Sequence, residues 1–139
     1  MCSFTMPYRS TLCEYRSSLE DFATRMDTLA ENLVEILALK VNMKSNHFQE
    51  NYLPKSSFIR LNRYPPCPIS SEVFGLLAHC DTSFLTILYQ DSVGGLQLMK
   101  DGKWVDVKPN PSALVVNIGD LFQVNFLHFI LFMSSHYIF

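Results

Sequence analysis

The sequence predicts an α+β fold, with an N-terminal helical segment followed by an antiparallel sandwich or jelly roll. Two observations carry this expectation. Apolar residues recur at helical spacing from Leu19 to Leu37. From Ser57 the period changes to two, and short β-prone runs alternate with turn residues.

The elements follow in order. Residues 1–16 show no clear period and read as an irregular N-terminal segment. Ser17-Ser18-Leu19-Glu20 reads as a capping box, with Ser at the N-cap and Glu three residues on. Leu19, Phe22, Ala23, Met26, Ala30, Leu33 and Leu37 continue a helix expected to reach about Met43. A shorter helix is expected over Ser45 to Asn51, ending before Leu53-Pro54, because the residue before proline avoids the α region. Phe58, Arg60, Asn62 and Tyr64 alternate with Ile59 and Leu61, the pattern of a strand with two faces. Pro65-Pro66-Cys67-Pro68 must be a rigid loop, since proline has no N–H for a sheet ladder. Strands are expected at Phe84 to Gln90, Leu96 to Met99, Trp104 to Val107 and Ala113 to Ile118. Asp101-Gly102 between the second and third of these is a hairpin signal. Phe84, Trp104 and Phe122 read as core residues.

Composition narrows the function class. The chain has 139 residues, enough for one domain with a core. With 48% hydrophobic and 17% charged residues it is not a disordered chain. A net charge of −2 gives no electrostatic case for nucleic acid or an anionic membrane as partner. Cys2, Cys13, Cys67 and Cys80 form no C-x-x-C pair, and Met1-Cys2-Ser3-Phe4 lacks the layout of a secretory leader. A reducing, cytoplasmic setting with free thiols is expected. The longest apolar run, Phe126 to Met133, is broken by His128 and is too short to span a bilayer.

The chemistry-bearing feature is His79-Cys80-Asp81. On an extended segment, residues two apart point to the same side. A His and a carboxylate so placed are two thirds of the 2-His-1-carboxylate triad that holds non-haem Fe(II) with positions left open. A lone H-x-D is more often a hydrogen-bonded surface pair. Its position before an apolar strand favours the mouth of a sheet or barrel, where ligand sites form.

Several blocks in one order make the pattern specific. Arg60-Leu61-Asn62-Arg63-Tyr64-Pro65-Pro66-Cys67-Pro68 resembles a signature block of plant 2-oxoglutarate- and Fe(II)-dependent dioxygenases. Glu72-Val73-Phe74-Gly75-Leu76 with His79-x-Asp81, Gly94-Gly95-Leu96-Gln97, Asp101-Gly102-Lys103-Trp104 and Asn117-Ile118-Gly119-Asp120 match the same family in the same order. Within it, the sequence most resembles the gibberellin 2-oxidases, particularly those acting on C20 gibberellins. The resemblance implies a double-stranded β-helix, or jelly roll, with flanking N-terminal helices. It implies His79 and Asp81 as iron ligands, and Asn62 and Tyr64 as residues that help hold 2-oxoglutarate. Without it, Asn62 and Tyr64 read as the polar face of an ordinary strand. Gly94, Gly95 and Gly119 read as backbone-turn positions. The implied cofactors are Fe(II) and 2-oxoglutarate, with ascorbate as reductant. The implied partners are dioxygen and a gibberellin-like diterpenoid acid, hydroxylated at carbon 2 while 2-oxoglutarate is decarboxylated to succinate. Another small plant metabolite such as a flavonoid is the alternative substrate.

The sequence departs from the family in three places. Cys80 stands where Thr or a similar residue is usual, and could make the site oxidation-sensitive if its thiol is exposed. The substantial region that precedes the Ser17 helix in the family is expected to be missing. After Gln123 the motif match stops: no Arg or Lys follows Lys108, so nothing matches the family's Arg-x-Ser arginine for the far carboxylate of 2-oxoglutarate. His136 lies near the family's spacing for the third ligand, but its neighbours do not match, and His128 fits less well. The third ligand is therefore expected to be absent, with His136 the remaining candidate. The expected organisation is an irregular segment at 1–16, a helical segment at 17–54, a partial dioxygenase domain at 55–123 with its last strands missing, and a divergent apolar tail at 124–139. Gln123-Val124 permits a splice-donor sequence, and the tail's Phe, Leu, Ile, Tyr and Ser are what T-rich intron sequence encodes. Such a chain is expected to be a weakly active or inactive dioxygenase, or a non-catalytic product that binds a partner.

Overall fold

The computed structural model describes residues 9–51, 57–69, 73–125 and 137–138. The chain divides into two compact units, Met1–Arg60 and Leu61–Phe139.

The first unit is helical. Helix α1 runs from Arg9 to Lys40 and α2 from His47 to Asn51. α1 therefore starts well before the expected capping box. Ser18 Oγ donates to the carbonyl of Glu14 at 2.9 Å, one turn back, so this serine bonds into a helix already under way. Thr24 and Thr28 bond back in the same way. Glu20, the expected capping acid, instead accepts from Arg16 Nε at 2.7 Å, and Asp21 pairs with Arg25 at 2.9 Å. These i,i+4 pairs support a solvated helix face.

The C-terminus of α1 closes with paired bonds. Met43 N–H donates to Ala38 O at 2.9 Å and Asn42 N–H to Leu39 O at 3.2 Å, with Asn42 at φ 59°. This is a Schellman closure with asparagine in the left-handed position, which its short polar side chain tolerates. The turn brings α2 against the end of α1. Ala38, Val41 and Phe48 are buried there, and the His47 and Phe48 rings meet edge-on at 5.4 Å.

The Ser57–Tyr64 strand expected from alternation does not form. Residues 57–67 carry no regular structure and are all exposed, Phe58 at 83%. A period of two is necessary for a half-buried strand but not sufficient; the backbone must also find a ladder partner.

The second unit holds the sheets. Strands β1 (Leu85–Leu88), β2 (Gln97–Lys100), β3 (Lys103–Asp106), β4 (Val115–Ile118) and β5 (Tyr137–Ile138) are joined by helix α3 (Asp120–Asn125). β1 pairs antiparallel with β4, Leu85 opposite Ile118 and Leu88 opposite Val115. The other sheet has the order β3-β2-β5. Asp101 (φ 51°) and Gly102 (φ 74°) are both left-handed, as a two-residue type I′ hairpin demands. β5 comes from the apolar tail and pairs with β2, Gln97 opposite Ile138. Residues 126–136 lie outside the described residues, and with them the expected ligand candidates His128 and His136.

The core of this unit gathers on Leu96 and Phe122, each 1% exposed. Phe122 meets Phe84 edge-on at 4.9 Å, as expected of two core aromatics. Trp104 does not join them; it is 37% exposed on β3, whose four residues all face solvent. β3 lies at the margin of its sheet, and among the described residues no second layer covers it. α3 was not anticipated. It starts directly after β4, with the amides of Phe122 and Gln123 donating to the carbonyl of Gly119. Among the described residues no helix is long and apolar enough to cross a membrane.

Candidate metal centre

His79 and Asp81 lie on the segment that leads into β1. Their side chains converge: His79 Nε2 is 3.6 Å from Asp81 Oδ1. The other ring nitrogen, Nδ1, is 2.8 Å from the carbonyl oxygen of Leu77. A carbonyl can only accept, so in that bond Nδ1 carries the proton. In the neutral ring this leaves the Nε2 lone pair facing the carboxylate, the tautomer a metal-ligating histidine needs. Both side chains are reachable from solvent, His79 at 36% and Asp81 at 18%.

The main chain of Asp81 is held from across the sheet. Its carbonyl accepts the N–H of Asp120 at 2.7 Å, and the N–H of Gly119 donates to Phe84 O at 3.1 Å. The β1–β4 ladder continues directly from these bonds. Ser83 and Thr86 hydroxyls meet at 3.1 Å just inside the loop.

Cys80 sits between the two candidate ligands and is a free thiol of intermediate exposure. Burial pushes its pKa up, and the neighbouring carboxylates of Asp120 and then Asp81 push it further. A thiol so placed is held protonated, the opposite of the low-pKa thiolate that makes a cysteine oxidation-prone.

The pair suits a divalent cation. Two donors about 2.1 Å from one ion and at right angles stand about 3.0 Å apart, and 3.6 Å is a small side-chain adjustment away. Among the described residues, no third His, Cys, Asp or Glu completes a metal-holding cluster. The chemistry of the donor set fits the imidazole and carboxylate of the facial triad, with one ligand still to come.

Asn62 and Tyr64 are placed elsewhere. They line a cavity of about 290 Å³ with Arg63, Pro65, Pro66, Asp91, Val93 and Gly94. His79 and Asp81 are not among its walls, so the cavity does not unite the two groups of expected site residues. Arg63 and Asp91 carry no site signal of their own in the sequence. Asp91 is a turn residue, its carboxylate accepting the N–H of Val93 at 2.8 Å. Gly119 reads in the sequence only as a backbone-turn position, and the contact of Gly119 and Asp120 with Asp81 crosses a sequence distance that no local pattern reports.

Similarity to known proteins establishes the family. Residues 55–134 match the 2OG-Fe(II) oxygenase superfamily, a match that continues past Gln123, where the motif reading ended. The chain belongs to this superfamily, whose members use Fe(II) and 2-oxoglutarate. It is 57% identical over 107 residues to gibberellin 2-beta-dioxygenase 8 of Arabidopsis thaliana, covering 77% of this chain and 32% of the relative. It is 48% identical over 108 residues to gibberellin 2-beta-dioxygenase 7 of the same plant, covering 78% and 32%. The chain thus spans about a third of the length of these relatives. Its fold is similar to the crystal structure of JOX2 in complex with 2OG, Fe and JA, with a TM-score of 0.72 at 28% identity, covering 88% of this chain and 37% of that one.

Proposed function

We propose that these residues are part of a 2-oxoglutarate- and Fe(II)-dependent dioxygenase that hydroxylates a gibberellin at carbon 2, an inactivating step. The 57% identity to gibberellin 2-beta-dioxygenase 8 carries the substrate reading, and the convergence of His79 and Asp81 carries the chemistry. In this reading the two small sheets are part of a double-stranded β-helix, and the free thiols suit the cytoplasm.

His79 and Asp81 would hold the iron through an imidazole and a carboxylate. When bound, iron and 2-oxoglutarate supply the oxidative decarboxylation that drives hydroxylation, with ascorbate as reductant. The chain's own contribution is placement. Leu77 O fixes the tautomer of His79, and Asp120 N–H anchors the main chain of Asp81. Asn62 and Tyr64 offer an amide and a phenol to the co-substrate.

A non-catalytic product that binds a partner is the second reading. Residues 109–139 contain no Arg or Lys, so in either reading a bidentate cation for the far carboxylate of 2-oxoglutarate has to come from elsewhere in the protein. The test incubates the 139-residue chain with Fe(II), 2-oxoglutarate, ascorbate and a C20 gibberellin, and follows succinate and hydroxylated product by mass spectrometry. The expected result is iron binding that depends on His79 and Asp81, with little turnover. Robust hydroxylation coupled to succinate overturns the inactive form. Iron binding indifferent to both residues overturns the site.

A further inference from the structure

We propose that Gly119 is a positioning residue for the metal pair: its lack of a side chain lets the end of β4 close on the Asp81–Ser83 backbone and hold Asp81 beside His79. The inference rests on reading His79 and Asp81 as ligands.

The geometry is one of close backbone approach. A Cβ built on Gly119 would overlap the carbonyl oxygen of Ser83, and would stand 2.7 Å from Ser83 C and 3.0 Å from Asp81 O. The obstructing atoms are main chain, so no rotamer change relieves them; the strand end and the ligand loop would have to separate. Gly119 is absent from the positive-φ glycines, which are Gly94, Gly95 and Gly102. Space, not an unusual dihedral, requires glycine here.

What closes across this gap is a latch on the ligand loop. Gly119 N–H donates to Phe84 O, and Asp120 N–H donates to Asp81 O at 2.7 Å. Leu85 opposite Ile118 extends the same contact into the ladder. Directly beyond, Phe122 packs on Phe84 and fixes the start of α3.

The latch acts on one member of the pair more than the other. His79 is oriented from within its own segment, by Leu77 O. Asp81 is anchored from β4 and α3. Forcing Gly119 away therefore moves the carboxylate relative to the imidazole, rather than moving both together. Supporting groups around a metal ligand typically contribute roughly 10–100-fold in metal affinity, and Gly119 acts through the Asp81 main chain in that manner.

The experiment titrates Mn(II) into the ¹⁵N-labelled full chain and follows paramagnetic broadening of the His79 and Asp81 amides. Gly119→Ala is expected to raise the titration midpoint roughly 10–100-fold at a temperature where the variant remains folded. Leu96→Ala, which empties a core position outside the latch, should lower Tm and leave the midpoint unchanged. An unchanged midpoint in Gly119→Ala, with Asp81→Ala raising it, overturns the positioning role and spares the ligand reading. A midpoint unaffected by Asp81→Ala overturns both. The unsubstituted chain supplies a second readout should Gly119→Ala fail to fold. Addition of Zn(II) should slow hydrogen exchange at the Asp120 amide, because a bound cation fixes its acceptor, and exchange unaltered by Zn(II) overturns the latch.

Discussion

The Nε2 atom of His79 stands 3.6 Å from Oδ1 of Asp81, with the far side of the imidazole bonded to the carbonyl of Leu77. Two donors that share one cation act as a unit, so their removal should not be additive. His79→Ala and Asp81→Ala are each expected to abolish most Fe(II) affinity, and the double variant should be little worse than either. Anaerobic calorimetry with Fe(II) checks this. Additive losses would mean that the two side chains bind independently.

Cys80 should be the slower of the two described thiols to react. Its pKa is raised above the ordinary cysteine value by burial and by Asp120 and Asp81, so less of it is thiolate at pH 8 than in an unperturbed cysteine, and the thiolate is the nucleophile. Cys67 is exposed. In a C2S/C13S background with chelator present, a maleimide should modify Cys67 first at pH 8, and the Cys80 rate should rise as the pH is raised. Equal rates at pH 8, followed by peptide mass spectrometry, would contradict the shielded environment.

The Phe84–Phe122 contact predicts where stability resides. Phe122→Ala removes a fully buried ring from the second unit and is expected to destabilise it by about 3–5 kcal/mol. Trp104→Ala, on an exposed strand, should cost about 1 kcal/mol or less. Urea denaturation followed by circular dichroism measures both, and a larger loss at Trp104 would mean that β3 is covered in solution.

The β2–β3 hairpin makes a third stability prediction. Gly102 occupies a left-handed position at φ 74°, with open space where a Cβ would go. Gly102→Ala is therefore strained by dihedral alone and should cost about 1 kcal/mol. Gly102→Asn should recover part of that loss, because asparagine tolerates the region. Failure of asparagine to outperform alanine in thermal unfolding would argue against the type I′ turn.

Much of the architecture was legible from local pattern. The D-G turn, the β1, β2 and β4 runs and the packing of Phe84 and Phe122 follow from turn chemistry and β-branched or aromatic runs. The start of α1 is not legible, because Ser17-x-x-Glu20 satisfies the capping-box pattern while Arg16 bonds Glu20. The alternation over Ser57–Tyr64 yields no strand, since it records a face without supplying a ladder partner.

Local pattern is enough for the family and the candidate ligand pair, because H-x-D on an extended segment needs only neighbours to converge, and because ordered motif blocks survive without a fold. What holds that pair is a matter of three-dimensional packing. The carbonyl of Asp81 meets the amide of Asp120, and Gly119 lies against the Ser83 backbone, contacts made across the β1–β4 ladder between segments distant in the chain. The tertiary structure also set Asn62 and Tyr64 in a cavity whose walls exclude the pair. Local chemistry chooses the side chains; the close approach of two backbones, possible only where a glycine leaves room, determines where they stand.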